Sequence, residues 1–564
     1  MEEYRKLYEQ WINDPAIDEE TKKELKSIEG NDVEIKDRFY QELEFGTAGL
    51  RGVIGAGTNR MNRYTVAKAT QGLSDYINSF GQEQPSVAIA CDSRRMSPEF
   101  VEITAAVLNA NGIRAYVFES LRPTPELSFA VRYLNCIAGV NITASHNPAE
   151  YNGYKAYWAD GAQVTPPHDQ GIMDCVNRVT NIASPNMMPK EEAEEKGLYI
   201  TIGEDVDEAY IAEVSKQIKE PEVIERCAKD ITIVYTPLHG AGIMIVPKLL
   251  ERFGFSKLFV VPEQEKPDGN FPTVDYPNPE MPKAFALADK LGEEKQADLI
   301  IATDPDADRI GLHVRDKDGT YHAISGNMIG CLICEYELSR LSTKGKLPED
   351  GYVVRSIVSS RLFDQIAESY GVDVRRVLTG FKNIGAEILK SEETGKGTYL
   401  FGYEESYGYL VGTYARDKDA CVTALKLCEM CAFYQSEGKT LWDAVQAIYE
   451  KYGFHQEKTI SITKKGIDGM SEIAKTMEDM RNDPPEKIGT FEVKEFLDYQ
   501  KPETTGLPKS NVLYFNLPDA WVCVRPSGTE PKIKYYVGVR ADDQEAAASM
   551  ISELEKGIMA GENN

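Results

Sequence analysis

Residues 86–112 read SVAIACDSRRMSPEFVEITAAVLNANG, and the build of this stretch decides the fold. SVAIACDSR (86–94) is an apolar run ending in a polar loop, as expected of a strand covered on both faces. SPEFVEITAAVLNANG then reads as a helix, with Ser97 as its N-cap, Pro98 at N1 and Gly112 just past its end. The layout recurs twice. ITIVYTPLHG (231–240) leads to a helix closing at Gly254 and a strand FSKLFVV, and YVVRSIVSS (352–360) leads to a helix closing at Gly371 and a strand VDVRRVLTG. From each closing glycine the chain reaches a further apolar strand that ends in a polar loop: AGVNITA before Ser145, ADLIIAT before Asp304 and TYLFGY before Glu404.

Apolar strands alternating with helices predict α/β units, and in such units ligands bind at loops beyond the C-terminal ends of the strands. Three loops of unlike chemistry thus hold similar positions in three related units, which predicts three domains facing one cleft. The tail differs. NVLYFNLPDAWVCVRPSGTEPKIKYYVGVR reads as two strands around a Gly/Pro loop, followed by a helix through EAAASMISELEKGI. The expected fold class is therefore α/β: four domains around a central cleft, three similar with mixed sheets and the last a smaller α+β domain. The expected boundaries are 1–204, 205–322, 323–453 and 454–564. The first ~40 residues read as charged helices.

The 564 residues are 42% apolar and 27% charged, the profile of a soluble globular chain. Lys and Arg number 63 against 90 Asp and Glu, a net charge of −27 that argues against nucleic-acid and anionic-membrane partners. No apolar run approaches the ~18 residues of a membrane span. MEEYRK at the start is charged and lacks the apolar core of a signal peptide, so the expected location is cytoplasmic. Cys331-x-x-Cys334 and Cys428-x-x-Cys431 have metal-site spacing, but each pair lies in an apolar helical stretch and reads as buried thiol.

Five loops carry chemistry. Thr143-Ala144-Ser145-His146-Asn147-Pro148 places a serine beside a histidine at a strand end, as a nucleophile or phosphoryl acceptor requires. Asp304-Pro305-Asp306-Ala307-Asp308-Arg309 sets three carboxylates at alternate positions of an extended loop, where a hard divalent cation such as Mg²⁺ would relieve their repulsion. Gly402-Tyr403-Glu404-Glu405-Ser406-Tyr407-Gly408 offers acceptors suited to sugar hydroxyls. Arg525-Pro526-Ser527-Gly528-Thr529-Glu530-Pro531-Lys532 gathers cations, hydroxyls and a backbone nest fit for a phosphate dianion. Phe45-Gly46-Thr47-Ala48-Gly49-Leu50-Arg51-Gly52 is glycine-rich with one buried-looking arginine, and lacks the spacing of a nucleotide-binding P-loop.

In order along the chain, FGTAGLRG, TASHNP, NGYK (152–155), TPLHG (236–240), DPDADR, TGFK (379–382), GYEES, ARDKD (415–419) and RPSGTEPK resemble the α-D-phosphohexomutase family, in its bacterial phosphoglucomutase and phosphopentomutase-like branch. The resemblance implies that Ser145 carries the phosphoryl group and that Asp304, Asp306 and Asp308 hold Mg²⁺ together with the Ser145 phosphate. It places Arg51, His146, Lys155 and Arg309 near the reacting centre, with Lys155 as general acid or base if nearby cations lower its pKa. His239, Thr379, Gly380, Lys382 and Lys418 fall at substrate-contact positions, Glu404 and Ser406 at sugar hydroxyls, and Arg525, Ser527, Gly528 and Thr529 at the non-reacting phosphate. The activity implied is reversible conversion of glucose 1-phosphate and glucose 6-phosphate through a glucose 1,6-bisphosphate that turns end for end. Pentose and mannose phosphates are the alternative substrates, and an aspartyl-phosphate phosphatase acting through Asp304 is a remote one. Small-molecule sugar phosphates are thus the expected partners of a monomer or homodimer. One departure stands out: family members often have Gly directly before Glu-x-Ser, and Tyr403 in that place is expected to alter sugar preference.

Overall fold

A computed structural model of the chain describes residues 2–43, 49–464, 469–527 and 532–562. The chain divides into two compact units, residues 1–324 with 385–395 and 407–438, and residues 325–384 with 396–406 and 439–564.

In the first unit a six-stranded sheet runs Gly49–Val53, Tyr151–Trp158, Ala138–Ile142, Ser86–Cys91, Arg114–Phe118, Tyr199–Ile202. Ser86–Cys91 lies between two parallel partners, Arg114–Phe118 and Ala138–Ile142. Beyond them Tyr151–Trp158 returns antiparallel to Ala138–Ile142, so the sheet is mixed. A five-stranded sheet in the same unit repeats this plan. Thr232–Thr236 sits between parallel Lys257–Val260 and Leu299–Thr303, and Ile310–Arg315 returns antiparallel to the latter. In the second unit Gly351–Ser356 likewise sits between parallel Asp373–Val377 and Thr398–Glu404. The threefold repeat read from the sequence is therefore a threefold repeat of sheet topology. Gly112, Gly254 and Gly371 end the first helix of each repeat with φ of +75°, +81° and +71°, a conformation that costs a side-chain-bearing residue.

The strands that deliver the loops are buried along their lengths, as their β-branched and alanine-rich sequences require. Ile89, Val140, Phe100 and Leu108 join one core under the first sheet, and each such side chain contributes roughly 1.5–3 kcal/mol by leaving water. Two local expectations are corrected. The cap position of the helix Ser97–Ala110 is Met96 with φ +64°, because the Ser97 hydroxyl is drawn to Asp92 Oδ1 at 3.3 Å instead of capping its own helix. Pro98 accordingly falls one residue further in.

The last sheet is antiparallel in the order Phe454–Thr463, Lys532–Ala541, Ala520–Pro526, Leu513–Leu517, Glu495–Asp498. The stretch expected to form two strands forms three, since the chain already reverses at Asp519 (φ +50°). Ile473, Met477, Ile551 and Leu554 from two helices share a core with Val522, Val524 and Val537 of this sheet. At the other terminus three helices, Glu3–Asn13, Glu19–Ser27 and Asp32–Phe39, pack around Trp11, Leu25 and Phe39. Cys331, Cys334, Cys428 and Cys431 are buried free thiols inside the helices Gly326–Thr343 and Ala420–Ser436, as expected.

Candidate active site

The first unit gathers the serine loop, the metal loop and two lysines. Strand Ala138–Ile142 delivers Ser145, which is 3% exposed and held at φ +51°. Its Oγ donates to Asp304 Oδ2 at 2.7 Å and lies 3.2 Å from His146 Nδ1. Its backbone N–H donates to Thr143 Oγ1, whose own hydroxyl donates to Asp92 Oδ2 at 2.6 Å. The chain then turns back as Asn152-Gly153-Tyr154-Lys155. A Cβ on Gly153 would sit 2.5 Å from the Thr143 carbonyl, so only glycine permits this return. The return brings Lys155 Nζ to 2.7 Å from Asp306 Oδ2 and 3.5 Å from Asp308 Oδ2.

The metal loop is a tight turn with Ala307 at φ +49°, not the extended segment expected. Asp304 Oδ1 makes the turn by accepting the N–H groups of Asp308 and Arg309. One carboxylate oxygen from each of Asp304, Asp306 and Asp308 lies within 4.8 Å of the others. Asp306 Oδ1 and Asp308 Oδ1 are buried without a hydrogen-bond partner, a costly state unless a cation takes them up. The donor set, all carboxylate oxygen, fits a hard divalent ion. Gly240 of TPLHG supports this loop from behind, for a Cβ there would meet the Pro305 backbone at 2.4 Å.

Burial, then the charges of Asp306 and Asp308, push the Asp304 carboxyl well above its ordinary range. Burial also works to raise Asp306, but the adjacent Lys155 ammonium outweighs it and holds the carboxyl low. For Lys155 burial favours the neutral amine, yet Asp306 and Asp308 reverse this and raise its pKa, contrary to the lowering expected from neighbouring cations. Lys155 is thus held as an ammonium. Burial, reinforced by Arg309 and Arg51, lowers His146 and keeps its imidazole neutral. Lys418 joins the cluster with Nζ 3.1 Å from Asp308 Oδ2 and 2.8 Å from Asp417 Oδ1. Arg309 pairs with Glu280 at 2.7 Å. Arg51 is exposed on strand Gly49–Val53, where residues of alternating face point to solvent, and not buried as expected; its guanidinium reaches Asn147 Oδ1 at 3.4 Å.

His239 does not fit the substrate-contact position assigned to it. It is 2% exposed, and its ring nitrogens already meet the Lys266 carbonyl at 3.1 Å and Thr273 Oγ1 at 2.9 Å. Three contributors escaped the sequence reading. Thr124 donates to Asp306 Oδ2 at 2.7 Å, and Asp92 and Arg94 underlie the serine loop. A signal existed for the last two, since Asp92-Ser93-Arg94 ends a buried strand as the other chemistry-bearing loops do. Thr124 carried none.

The second unit holds the GYEES loop and the described part of RPSGTEPK. Glu404 is buried at the end of Thr398–Glu404, where its Oε1 accepts the Gly380 N–H at 2.5 Å and ties TGFK to GYEES. Glu405 Oε2 accepts the hydroxyls of Ser356 and Ser359 at 2.9 and 3.3 Å. Thr379, Lys382 and Ser406 are half-buried. Tyr403 is fully buried beneath the loop, its ring against Phe363 and its hydroxyl accepting the Ser360 N–H and donating to Asn327 Oδ1. Its burial leaves Tyr403 no direct contact with a sugar, so the effect on sugar preference expected from the sequence would have to pass through the loop it supports. Arg525 lies at the end of the strand Ala520–Pro526 and Ser527 just beyond it, where the Ser527 N–H donates to the Lys532 carbonyl at 2.7 Å. Gly528 and Thr529 lie outside the described residues, as do Phe45–Ala48 of the first glycine-rich loop.

Four family models match the chain in order: phosphoglucomutase/phosphomannomutase alpha/beta/alpha domain I over residues 42–183, domain II over 208–319, domain III over 325–452 and the C-terminal domain over 477–555. A phosphoglucomutase of Staphylococcus haemolyticus is 37% identical over 91% of this chain and 93% of its own. One of Staphylococcus epidermidis is 37% identical over 96% and 98%. Among solved structures, the Paramecium phosphoprotein parafusin, a phosphoglucomutase, shares the fold with a TM-score of 0.71 at 18% identity over 93% of this chain and 96% of that one. A phosphoglucomutase/phosphomannomutase family protein of Burkholderia thailandensis does so with 0.66 at 20% identity over 92% and 98%. The matches run through all four domains in order, and the chain belongs to the phosphoglucomutase/phosphomannomutase family.

Proposed function

We propose that the chain is a phosphoglucomutase that interconverts α-D-glucose 1-phosphate and glucose 6-phosphate, with Ser145 as the phosphoryl carrier and glucose 1,6-bisphosphate as the intermediate. The observation that carries the reading is the Ser145 hydroxyl, buried and aimed at the Asp304, Asp306 and Asp308 cluster from 2.7 Å. Relatives named phosphoglucomutase at 36–37% identity support the substrate.

In the forward step the bond from phosphorus to Ser145 Oγ breaks as a bond to the sugar hydroxyl forms. The sugar loses its hydroxyl proton and Oγ regains one. Lys155, held as an ammonium beside the carboxylates, gives its proton to Oγ and, as the amine so formed, takes up the proton of the sugar, so that one proton passes from sugar to serine overall. Asp304, Asp306 and Asp308 would hold Mg²⁺, which when bound neutralises charge on the transferring phosphoryl group. His146, a neutral imidazole beside Ser145, contributes positioning, and Arg309, next to the metal-loop carboxylates, contributes positive charge. Lys418 orients the substrate. In the second unit, Glu404 and Ser406 bind sugar hydroxyls, Thr379, Gly380 and Lys382 line the same loop, and Arg525, Ser527, Gly528 and Thr529 grip the non-reacting phosphate. Either end of the bisphosphate must fit that grip, so the intermediate turns over and returns its other phosphate to Ser145.

Phosphorus NMR tests this with Mg²⁺, a trace of sugar bisphosphate, and glucose, mannose or ribose 1-phosphate in separate samples. Fastest conversion of the glucose ester to its 6-phosphate is expected. Fastest conversion of the mannose or ribose ester would keep the mechanism and change the substrate. Release of inorganic phosphate without isomer would overturn the reading in favour of a phosphatase acting through Asp304.

A further inference from the structure

The serine loop bends through Ser145 at φ +51°, a backbone region that side-chain-bearing residues seldom occupy without support. The bend gathers four carbonyls, those of Ser145, Asn147, Pro148 and Tyr151, around the side chain of Arg94. Arg94 Nη2 donates to Ser145 O at 2.5 Å and to Asn147 O. Its Nη1 donates to Pro148 O at 2.8 Å and Tyr151 O at 2.9 Å. Its Nε lies 3.3 Å from Asp92 Oδ2, the same oxygen that receives the Thr143 hydroxyl. One planar guanidinium thus reads the loop on either side of the serine, a geometry that the compact ammonium of lysine cannot copy.

Arg94 is covered in turn by the strap 264–273. The Phe271 ring lies 5.0 Å from its guanidinium, and Gly269 pairs with the Arg94 backbone so closely that a Cβ would stand 2.5 Å from the Arg95 nitrogen. His239 pins the strap through both ring nitrogens, on Lys266 O and Thr273 Oγ1, and through its backbone N–H to Gln264 O. We infer that Arg94 is a positioning residue of the phosphoryl step, which fixes Ser145 Oγ toward the metal loop, and that the strap pinned by His239 holds Arg94 in place. The inference rests on Ser145 being the phosphoryl carrier. It assigns His239 a role through the strap rather than through the substrate.

The test is single-turnover transfer from glucose 1,6-bisphosphate to the full-length protein, with phosphoserine read by intact mass, alongside steady-state kcat and KM and the Mg²⁺ midpoint. Arg94→Lys is expected to slow transfer and kcat by about 10²-fold, the effect of an ångström-scale displacement of a reacting group. KM and the Mg²⁺ midpoint should stay within about twofold, because the metal loop and the second unit's loops are untouched. Gly269→Ala, which presses the strap off Arg94 without altering the guanidinium, should give the same pattern at about tenfold, and it remains informative if the arginine variant fails to fold. Transfer within twofold of wild type in either folded variant overturns the inference. So does a parallel loss of kcat, KM, Mg²⁺ response and melting temperature in both variants, which a purely structural arginine would give. A wild-type protein that forms no phosphoserine at all overturns the carrier assignment and this inference together.

Discussion

The residues proposed for phosphoryl transfer and those proposed for sugar-phosphate recognition belong to different units and differ in burial. In the first, Ser145, Lys155, Lys418 and the three aspartates are all buried, and each is fixed by at least one side-chain bond or ion pair. Among the described residues proposed for the second unit, Glu404 is buried, while Ser406, Lys382, Arg525 and Ser527 stand half-open. Phosphoryl transfer depends on charges placed before the reaction begins, so its groups belong in a water-poor, over-determined setting. Recognition of a sugar phosphate that must be held by either end tolerates, and needs, a more open setting. The comparison predicts that changes in the first unit alter the rate for every sugar, while changes in the second alter which sugar is used.

The largest effect expected is Ser145→Ala, which removes the proposed phosphoryl acceptor. Turnover should fall by at least about 10³-fold on glucose, mannose and ribose esters alike. Phosphoserine should vanish from the intact-mass spectrum. A variant that kept turnover with glucose 1,6-bisphosphate supplied would place the carrier elsewhere and dissolve the contrast between the units.

Asp92 offers a second probe of the first unit, read as stability against pH. Burial raises its carboxyl to about 6, with the Arg94 charge and the Thr143 hydroxyl acting against the rise. A folded-state value above the unfolded one means that the folded protein keeps the proton longer. The stability due to Asp92 is therefore full below about pH 4, declines as pH rises, and levels off above about pH 6. Each tenfold difference in proton affinity between the folded and unfolded chain is worth about 1.4 kcal/mol, so the decline amounts to roughly 3 kcal/mol at most. Asp92→Asn should lack it, so the gap between wild type and variant in denaturant midpoint should shrink or reverse between pH 4.5 and 6.5. A constant gap would mean that Asp92 does not titrate in this window.

In the second unit, Glu404→Gln breaks the charged acceptor of the Gly380 N–H. It should cost about 10- to 100-fold in kcat/KM, more for the hexose with the better-matched hydroxyls, and so shift the glucose-to-mannose ratio. The same fall on all sugars would assign Glu404 to the chemistry and erase the division between the units.

The parts of this arrangement that sequence reading reached are those encoded locally. A buried strand that ends in a polar loop shows itself in one stretch of residues, so the threefold repeat, the Ser145 loop and the aspartate triad were legible, and the glycines that close the helices marked the period. Several of the corrections depend on partners distant in sequence. Ser97 is the exception, drawn from its cap by Asp92 only five residues before it. Lys155 keeps its proton because Asp306 and Asp308, some 150 residues away, face it across the loop. Thr124 reaches Asp306 across 182 residues, with no local pattern to announce it. His239 lies in TPLHG, one of the stretches that carry the family resemblance, yet the strap it pins exists only in three dimensions.

Tyr403 gives the smallest effect and the sharpest use of the contrast. Its place in the motif suggested an effect on sugar preference, but the ring is fully buried and its hydroxyl is committed to Ser360 and Asn327. Ser360 borders the Ser356 and Ser359 hydroxyls that hold Glu405, so Tyr403 supports the sugar loop from below without touching what it binds. Tyr403→Phe removes one oxygen and leaves the Ser360 N–H its bond to Asn327 Oδ1 at 2.9 Å. The cost should be about 1 kcal/mol of stability, the net worth of a buried hydrogen bond. A melting curve would show it as a small downward shift, while the relative rates on glucose, mannose and ribose esters stay within about twofold. Should the sugar ratio move tenfold with stability unchanged, the buried layer beneath the loop would itself set selectivity, and recognition in the second unit would be as rigidly preorganised as the chemistry in the first.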